Sequence, residues 1–324
     1  MTKKKKILIT GGSGFLGSTL VKKLSAEGND VYVFDNEFRG SKNRIKGTSI
    51  SKYIVGDIRK KRDLDKIKLK FDYIFHLAFI NGTNFFYEKP KLVLDVGIKG
   101  ILNVLECIKF NRQSKFILAS SSEVYNYPKK IPTDEKTEIM IPDITNPRFS
   151  YSAGKIISEI VTINFLKEKK IPYLIFRPHN IFGPNMGNNH VIPEIIKKIY
   201  VASSKFNKKN CKISIQGSGN ETRSFCFVND AIDQLNFMYK KRDSNNQIFN
   251  IGQRNEIKIK RLIQDISKIL DIKVRIISKP LLKGSVKRRC PNMSKLLKIG
   301  YKNNDNYFTG LRQTVLWYKN ILIK

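Results

Sequence analysis

Short apolar runs recur through the first half of the chain, all but the last closed by glycine, aspartate, histidine or serine. The runs at 6–10, 31–34, 52–55, 73–76, 115–119 and 172–176 have the length and composition of buried strands. Between them, apolar residues return every three or four positions. That spacing predicts a helix over 18–27 closed by Gly28, a long one over 90–110 and another over 150–169. Strands alternating with helices predict a doubly wound parallel α/β sheet with crossover helices, which binds ligands at the carboxyl ends of its strands. Gly11, Asp35, His76 and Ser120 fall at those ends. Beyond residue 178 the alternation breaks down. Irregular stretches over 179–230 surround a helical segment at 191–201 and a strand at 212–215. A strand at 247–251, a helix at 260–270, a strand at 274–277 and a final helix follow. The expected organisation is a domain over 1–178 and a smaller mixed α/β lobe over 179–324, with some of its segments returning to the sheet.

Composition narrows the class. At 324 residues and 41% hydrophobic content the chain can bury a sizeable core. No apolar run approaches the ~20 residues of a membrane span. The lysine-rich start leads into an apolar run too short for a signal peptide, broken at Gly11 and Gly12, so a cytoplasmic protein with no membrane partner is expected. Four scattered cysteines and three histidines show no metal-ligand spacing, so no metal is expected. The net charge of +34 is spread along the chain with no basic arm, which argues against nucleic acid and for capture of a small anionic substrate.

Two stretches carry candidate chemistry. The first strand leads into Gly11-Gly-Ser-Gly-Phe-Leu-Gly17 and then a helix. Glycines at this spacing permit a tight turn and close approach of the backbone to a pyrophosphate, which the helix N-terminus attracts. The second strand ends in Asp35, with Asn36 next. A carboxylate there suits the ribose hydroxyls of NAD and repels the 2′-phosphate of NADP, although Arg39 lies close by. The second stretch is Tyr151-Ser-Ala-Gly-Lys155. Residues at i and i+4 share a helix face. An ammonium beside a phenol favours the phenolate and turns tyrosine into a usable base. A hydroxyl from 120–122 could hold the alcohol that Tyr151 deprotonates.

In order and spacing these parts resemble the extended short-chain dehydrogenase/reductases of the NAD-dependent epimerase/dehydratase family, which act on nucleotide sugars. The resemblance runs through the glycine loop, Asp57-Ile58, His76-Leu-Ala78, Ser120-Ser-Ser-Glu-Val-Tyr125 and Tyr151-x-x-x-Lys155. It continues through Arg177-Pro-His-Asn180, Gly217 to Arg223, Arg288-Arg289 and the last helix. It implies a Rossmann-like domain, bound NAD and a homodimer. It also implies that Gly11, Gly14, Phe15, Leu16, Gly17, Asp35, Asn36, Asp57, Ile58, Leu77, Ala78, Tyr151, Lys155 and Pro178 contact the cofactor. By the same resemblance Ser121, Tyr151 and Lys155 form the catalytic trio, with Ser122 and Glu123 facing the sugar. Asn180, Val191, Arg223 and Arg289 contact the substrate, Asn180 and the two arginines at its diphosphate.

Three positions depart from the family pattern: Gly97 stands where Asn is usual, Phe79 where a second Ala is usual, and Asn126 where Gly is usual. The implied activity is oxidation of the sugar at C4 and, by preference, 4-epimerisation through a 4-keto sugar. Glu123 keeps 4,6-dehydration open as the alternative, alongside simple 4-dehydrogenation. Decarboxylation is disfavoured because Asn185 follows Gly183-Pro184 where the decarboxylases carry Arg. A non-catalytic NAD-binding protein is the remaining alternative.

Overall fold

In the computed structural model, which describes residues 4–280 and 287–323, seven strands form one sheet. In chain order the first elements are β1 (Lys6–Thr10), α1 (Phe15–Ala26), β2 (Asp30–Asp35), β3 (Lys52–Val55), α2 (Lys61–Leu64), β4 (Tyr73–His76), α3 (Thr83–Glu88) and α4 (Pro90–Cys107). There follow β5 (Lys115–Ala119), α5 (Ser150–Glu168), β6 (Tyr173–Pro178), β7 (Ile181–Phe182), α6 (Val191–Ala202), β8 (Asn210–Gln216), β9 (Thr222–Ser224), β10 (Cys226–Phe227) and α7 (Val228–Lys240). The remaining elements are β11 (Gln247–Ile251), β12 (Glu256–Lys258), α8 (Ile259–Leu270), β13 (Lys273–Lys279), β14 (Arg288–Arg289), α9 (Ser294–Lys298) and α10 (Tyr307–Ile323). Of the lysine-rich start, residues 1–3 lie outside the described residues.

The sheet order is β11-β6-β5-β4-β1-β2-β3, and the pairings from β3 across to β6 are parallel. The chain starts in the middle, runs out to β3, then returns to β4 and runs the other way. Strand order therefore reverses between β1 and β4, the position at which such sheets open a crevice. Thr10 pairs with both Phe34 and His76, so the carboxyl ends of β1, β2 and β4 stop level with one another. Helices cover both faces, which is why the strands read as continuous apolar runs without alternation. Ile7, Leu8 and Ile9 are fully buried.

Two expected boundaries move. α1 begins at Phe15, three residues before the periodicity indicates, because the Gly14 carbonyl already accepts the Ser18 N–H at 2.9 Å. The helix's first turn is thus part of the glycine motif itself. α4 stops at Cys107, short of 110, where Ile108 turns extended.

The chain divides into two compact units. One runs up to Asn126 and includes Glu138–Pro178 and Ile232–Phe249. The other comprises Tyr127–Thr137, His179–Ala231 and the chain from Asn250 onward. In the second unit β12, β9 and β14 form a three-stranded sheet, β13 pairs with β8, β10 pairs with β7, and α10 packs on α6 and α8. Among the described residues no helix is long and apolar enough to cross a membrane, and no group of three or more His, Cys, Asp or Glu is placed to hold a metal.

Candidate active site

The glycine turn is built by contacts that exclude side chains. Gly11 has φ +75°, and a Cβ on it would lie 2.6 Å from the Ala78 nitrogen, so β1 and β4 close up there only without one. A Cβ on Gly17 would lie 2.1 Å from the Gly11 carbonyl oxygen, so α1 can fold back onto the turn only with glycine at that position. Gly14 is the N-cap and no side chain caps α1. Phe15 and Leu16 open the helix, and their N–H groups are among those left without intrahelical acceptors. A cleft of about 660 Å³, its open mouth included, runs past Gly11, Gly14, Asp35, Asn36, Asp57, Ile58, Leu77 and Ala78. Open helix N–H groups, a turn bare of side chains and a carboxylate at the end of β2 fit a dinucleotide. Pro178 closes β6 within this same unit.

Asp35 is buried and fixed. One carboxylate oxygen accepts from the Ser13 N–H at 3.0 Å and the other from the Glu37 N–H at 2.8 Å. Asp57 is held by Arg59 at 2.6 Å, with Asn36 Nδ2 3.4 Å away, so Asp57 meets the cleft as half of an ion pair. Arg39 also lines the cleft, with its guanidinium 4.9 Å from the centre of the Phe85 ring. NAD should bind more tightly than NADP in calorimetry, and Asp35→Asn should narrow the difference. Tighter NADP binding by the parent protein would overturn the role given to Asp35.

β5 ends in the serines. Ser120 turns its hydroxyl onto the Glu159 carboxylate on α5. Ser121 lies close enough to Tyr151 to favour its phenolate, and it caps the short turn Ser122–Tyr125, accepting the Glu123 N–H at 3.1 Å. All three hydroxyls are buried, and the structure gives two of them distinct partners: Ser120 anchors the strand end on Glu159, and Ser121 caps the turn that follows. Behind them, Arg177 makes a two-point ion pair with Glu159, at 2.9 and 2.6 Å, and donates to the Tyr125 hydroxyl at 2.9 Å. This buried network ties β6, α5 and the serine turn together.

Tyr151 and Lys155 lie on one face of α5, as their spacing predicts, and both are buried. Burial pushes the Tyr151 phenol well above its ordinary value of 10.0, opposed by the nearby Ser121 hydroxyl. Burial also pulls the Lys155 ammonium down to about 7, opposed by Glu159. Lys155 Nζ donates to the Ala119 carbonyl at 2.6 Å and sits 5.9 Å from the centre of the Tyr151 ring. For the phenol, desolvation is the dominant influence. His76 donates to or accepts from Thr10 Oγ1 at 2.8 Å; burial and the nearby Lys155 charge hold it down at about 3, so it is neutral at ordinary pH.

A small cavity of about 310 Å³ beside Tyr151 is lined by Glu123, Arg148, Asn126, Thr83 and Phe86 among others. Arg148 is 3.9 Å from the Glu123 carboxylate. Sequence reasoning missed Arg148, although it precedes Tyr151 by three positions in the turn that leads into α5. It also missed the aromatic walls: Phe86 stacks on Tyr151 at 4.8 Å and Phe79 meets it edge-on at 5.2 Å.

The residues expected to hold the diphosphate lie in the second unit. β14 pairs with β9 in a register that sets Arg289 opposite Arg223, so the two arginines leave the same face of that sheet. Arg223 donates to the Thr222 and Lys287 carbonyls at 2.8 and 3.4 Å. Asn180 Nδ2 donates to the Ser224 carbonyl at 3.1 Å, and Val191 is the first residue of α6. Arg288 is taken up by Glu256 at 2.6 Å. His179 is buried, with Nε2 3.0 Å from Asn250 Oδ1, a packed position within this unit.

Comparison with known proteins agrees with this geometry. Over 98% of its length the chain is 28% identical to the UDP-N-acetyl-alpha-D-glucosaminuronate decarboxylase of Bacillus cytotoxicus, covering 99% of that protein. A Methanocaldococcus jannaschii protein, provisionally described as a UDP-glucose 4-epimerase, is 31% identical over 97% of this chain and 98% of its own. The solved UDP-N-acetylglucosamine 4-epimerase of Methanobrevibacter ruminantium, in complex with UDP-N-acetylmuramic acid, superposes with a TM-score of 0.83 at 27% identity, over 99% of this chain and all of the other. Residues 7–252 match the profile of one family. With the glycine turn, the fixed Asp35 and the Ser121–Tyr151–Lys155 group in place, the chain belongs to the NAD dependent epimerase/dehydratase family, whose cofactor is NAD.

Proposed function

We propose that the protein is a nucleotide-sugar 4-epimerase working through a 4-keto sugar. NAD, when bound, accepts the hydride from C4 and gives it back. The chain's own residues handle the proton and the substrate. The Ser121 hydroxyl, close to Tyr151, holds the C4 hydroxyl, and Tyr151 takes its proton as that carbon is oxidised. Burial works against the phenolate, so the compensating charge has to come from Lys155, one turn further along α5. Return of proton and hydride to the turned sugar gives the C4 epimer. The positive field and the Arg223–Arg289 pair suit a nucleoside diphosphate, since planar guanidinium groups bind it bidentately.

The observation that carries 4-epimerisation over dehydration is the cavity beside Tyr151. Glu123 is the single carboxylate among its described lining residues, and it faces Arg148. Expelling the C6 hydroxyl as water takes a base at C5 and also an acid at the leaving oxygen. Ser122 stands where such an acid would be, whereas 4-epimerisation needs neither group. Glu123 still supports a second reading, 4,6-dehydration with one carboxylate serving both steps. The relatives named as decarboxylases make loss of carbon dioxide the further outcome to check. Incubating the protein with NAD and a panel of UDP-, GDP-, CDP- and dTDP-sugars, then analysing products by mass spectrometry and NMR, separates these. Unchanged mass with inversion at C4 is the expected result. Loss of one water would assign the dehydratase reading, and loss of carbon dioxide would assign the decarboxylase one. On the same reading the protein works as a homodimer, which sedimentation would test.

A further inference from the structure

The ring of Phe79 occupies the slot between α4 and α5 directly behind the catalytic pair. A Cβ on Gly97 of α4 would lie 2.6 Å from the Phe79 ring tip, and one on Gly154 of α5 would lie 3.1 Å from it. The two helices meet there closely enough for the Ser158 hydroxyl of α5 to donate to the Gly97 carbonyl at 3.2 Å. Lys155 Nζ sits 3.9 Å from the centre of the Phe79 ring, while the same ring meets Tyr151 edge-on. We propose that Phe79 is a positioning residue for Lys155: its ring face is the platform that carries the buried ammonium, and the missing side chains at Gly97 and Gly154 are what admit the ring. This rests on the reading that Lys155 serves Tyr151.

The physics favours a ring over a charged partner. Lys155 is buried, with the Ala119 carbonyl as its hydrogen-bonded acceptor. A buried ammonium needs further stabilisation, and an aromatic face supplies it through its quadrupole. A carboxylate would do so more strongly but would cancel the charge that the Tyr151 phenolate requires. The ring stabilises the cation and leaves its charge in place. The other titratable groups facing Lys155 are Tyr151 and Glu159 on α5 and His76 at the end of β4. His76 is held neutral, and Glu159 is shared with Arg177. α4 presents Gly97 to this region.

The test reads the Lys155 amine directly, without substrate. In protein labelled with [13C-ε]lysine, the Lys155 resonance is followed against pH and assigned by its loss in Lys155→Met. Phe79→Leu keeps the bulk and removes the π face, and should lower the Lys155 pKa by about one pH unit. Gly97→Ala should reproduce the Phe79→Leu shift, because the new methyl pushes the ring aside. Added to Phe79→Ala, which has no ring to displace, Gly97→Ala should do nothing further. Parent-like titration in both Phe79→Leu and Gly97→Ala would overturn the proposal, as would additive shifts in the double variant. Once a substrate is found, turnover in Phe79→Leu should fall about ten-fold, with its alkaline limb moved down by the same unit. If Lys155→Met retains full turnover, the reading of Lys155 itself fails. If Lys155→Met is inactive while Phe79→Leu titrates like the parent, only the platform fails.

Discussion

Replacing Tyr151 with phenylalanine should lower turnover by about 10²–10⁴-fold, the range that a positioned acid–base group supplies. The protein should keep its fold and bind NAD and nucleotide sugar within a few-fold of the parent. Phenylalanine preserves the ring that packs between Phe86 and Phe79, so the aromatic walls stay filled. What disappears is the hydroxyl proposed to receive the C4 proton. The Ser121 hydroxyl still accepts the Glu123 N–H, so the turn holds its shape. Single-turnover reduction of the nicotinamide, followed by its fluorescence, reads the first chemical step apart from product release. Near-parent rates in this variant would remove Tyr151 from the chemistry. Loss of substrate binding together with rate would make it a contact residue instead.

Replacing Arg177 with methionine should cost about 3–5 kcal/mol of stability, because it strands the Glu159 carboxylate in the core without its cation. Arg177 and Glu159 have side chains 2% and 5% exposed. Burial alone would weaken the guanidinium's hold on its proton, but the Glu159 hydrogen bonds and charge outweigh it and raise its pKa above the usual value of 12.5. The carboxylate that Arg177 neutralises also accepts from Ser120, so the strand end carrying Ser121 should loosen as well. The double variant Arg177→Met/Glu159→Leu removes both charges and should recover most of the loss, since a buried pair replaced whole by apolar groups is often neutral. Urea denaturation of the three proteins measures this through midpoint shifts. A double variant as unstable as Arg177→Met alone would show that the arginine acts through its Tyr125 bond and not through the ion pair.

The linear order of strands, helices, glycine turn and terminal acid fixes the sheet, because local periodicity and turn chemistry depend only on near neighbours in the chain. That is why β1 to β5, the glycine turn, Asp35 and the Tyr151–Lys155 pair are all visible before folding. The i, i+4 spacing places Tyr151 and Lys155 on one face whatever surrounds them. Only the tertiary structure decides what burial does to them. Desolvation raises Tyr151, lowers Lys155 and neutralises His76, and it depends on atoms brought in from β4, α3, α4 and β5. What holds each serine is also a tertiary matter: Ser120 is drawn to Glu159, which lies thirty-nine positions away. The same holds for Phe79 and Gly97, eighteen positions apart, which the sequence marks only as two separate departures from the family pattern. Packing of α4 on α5 turns them into a ring and the space that holds it. Steric exclusion and desolvation are properties of groups distant in sequence, which no local pattern records.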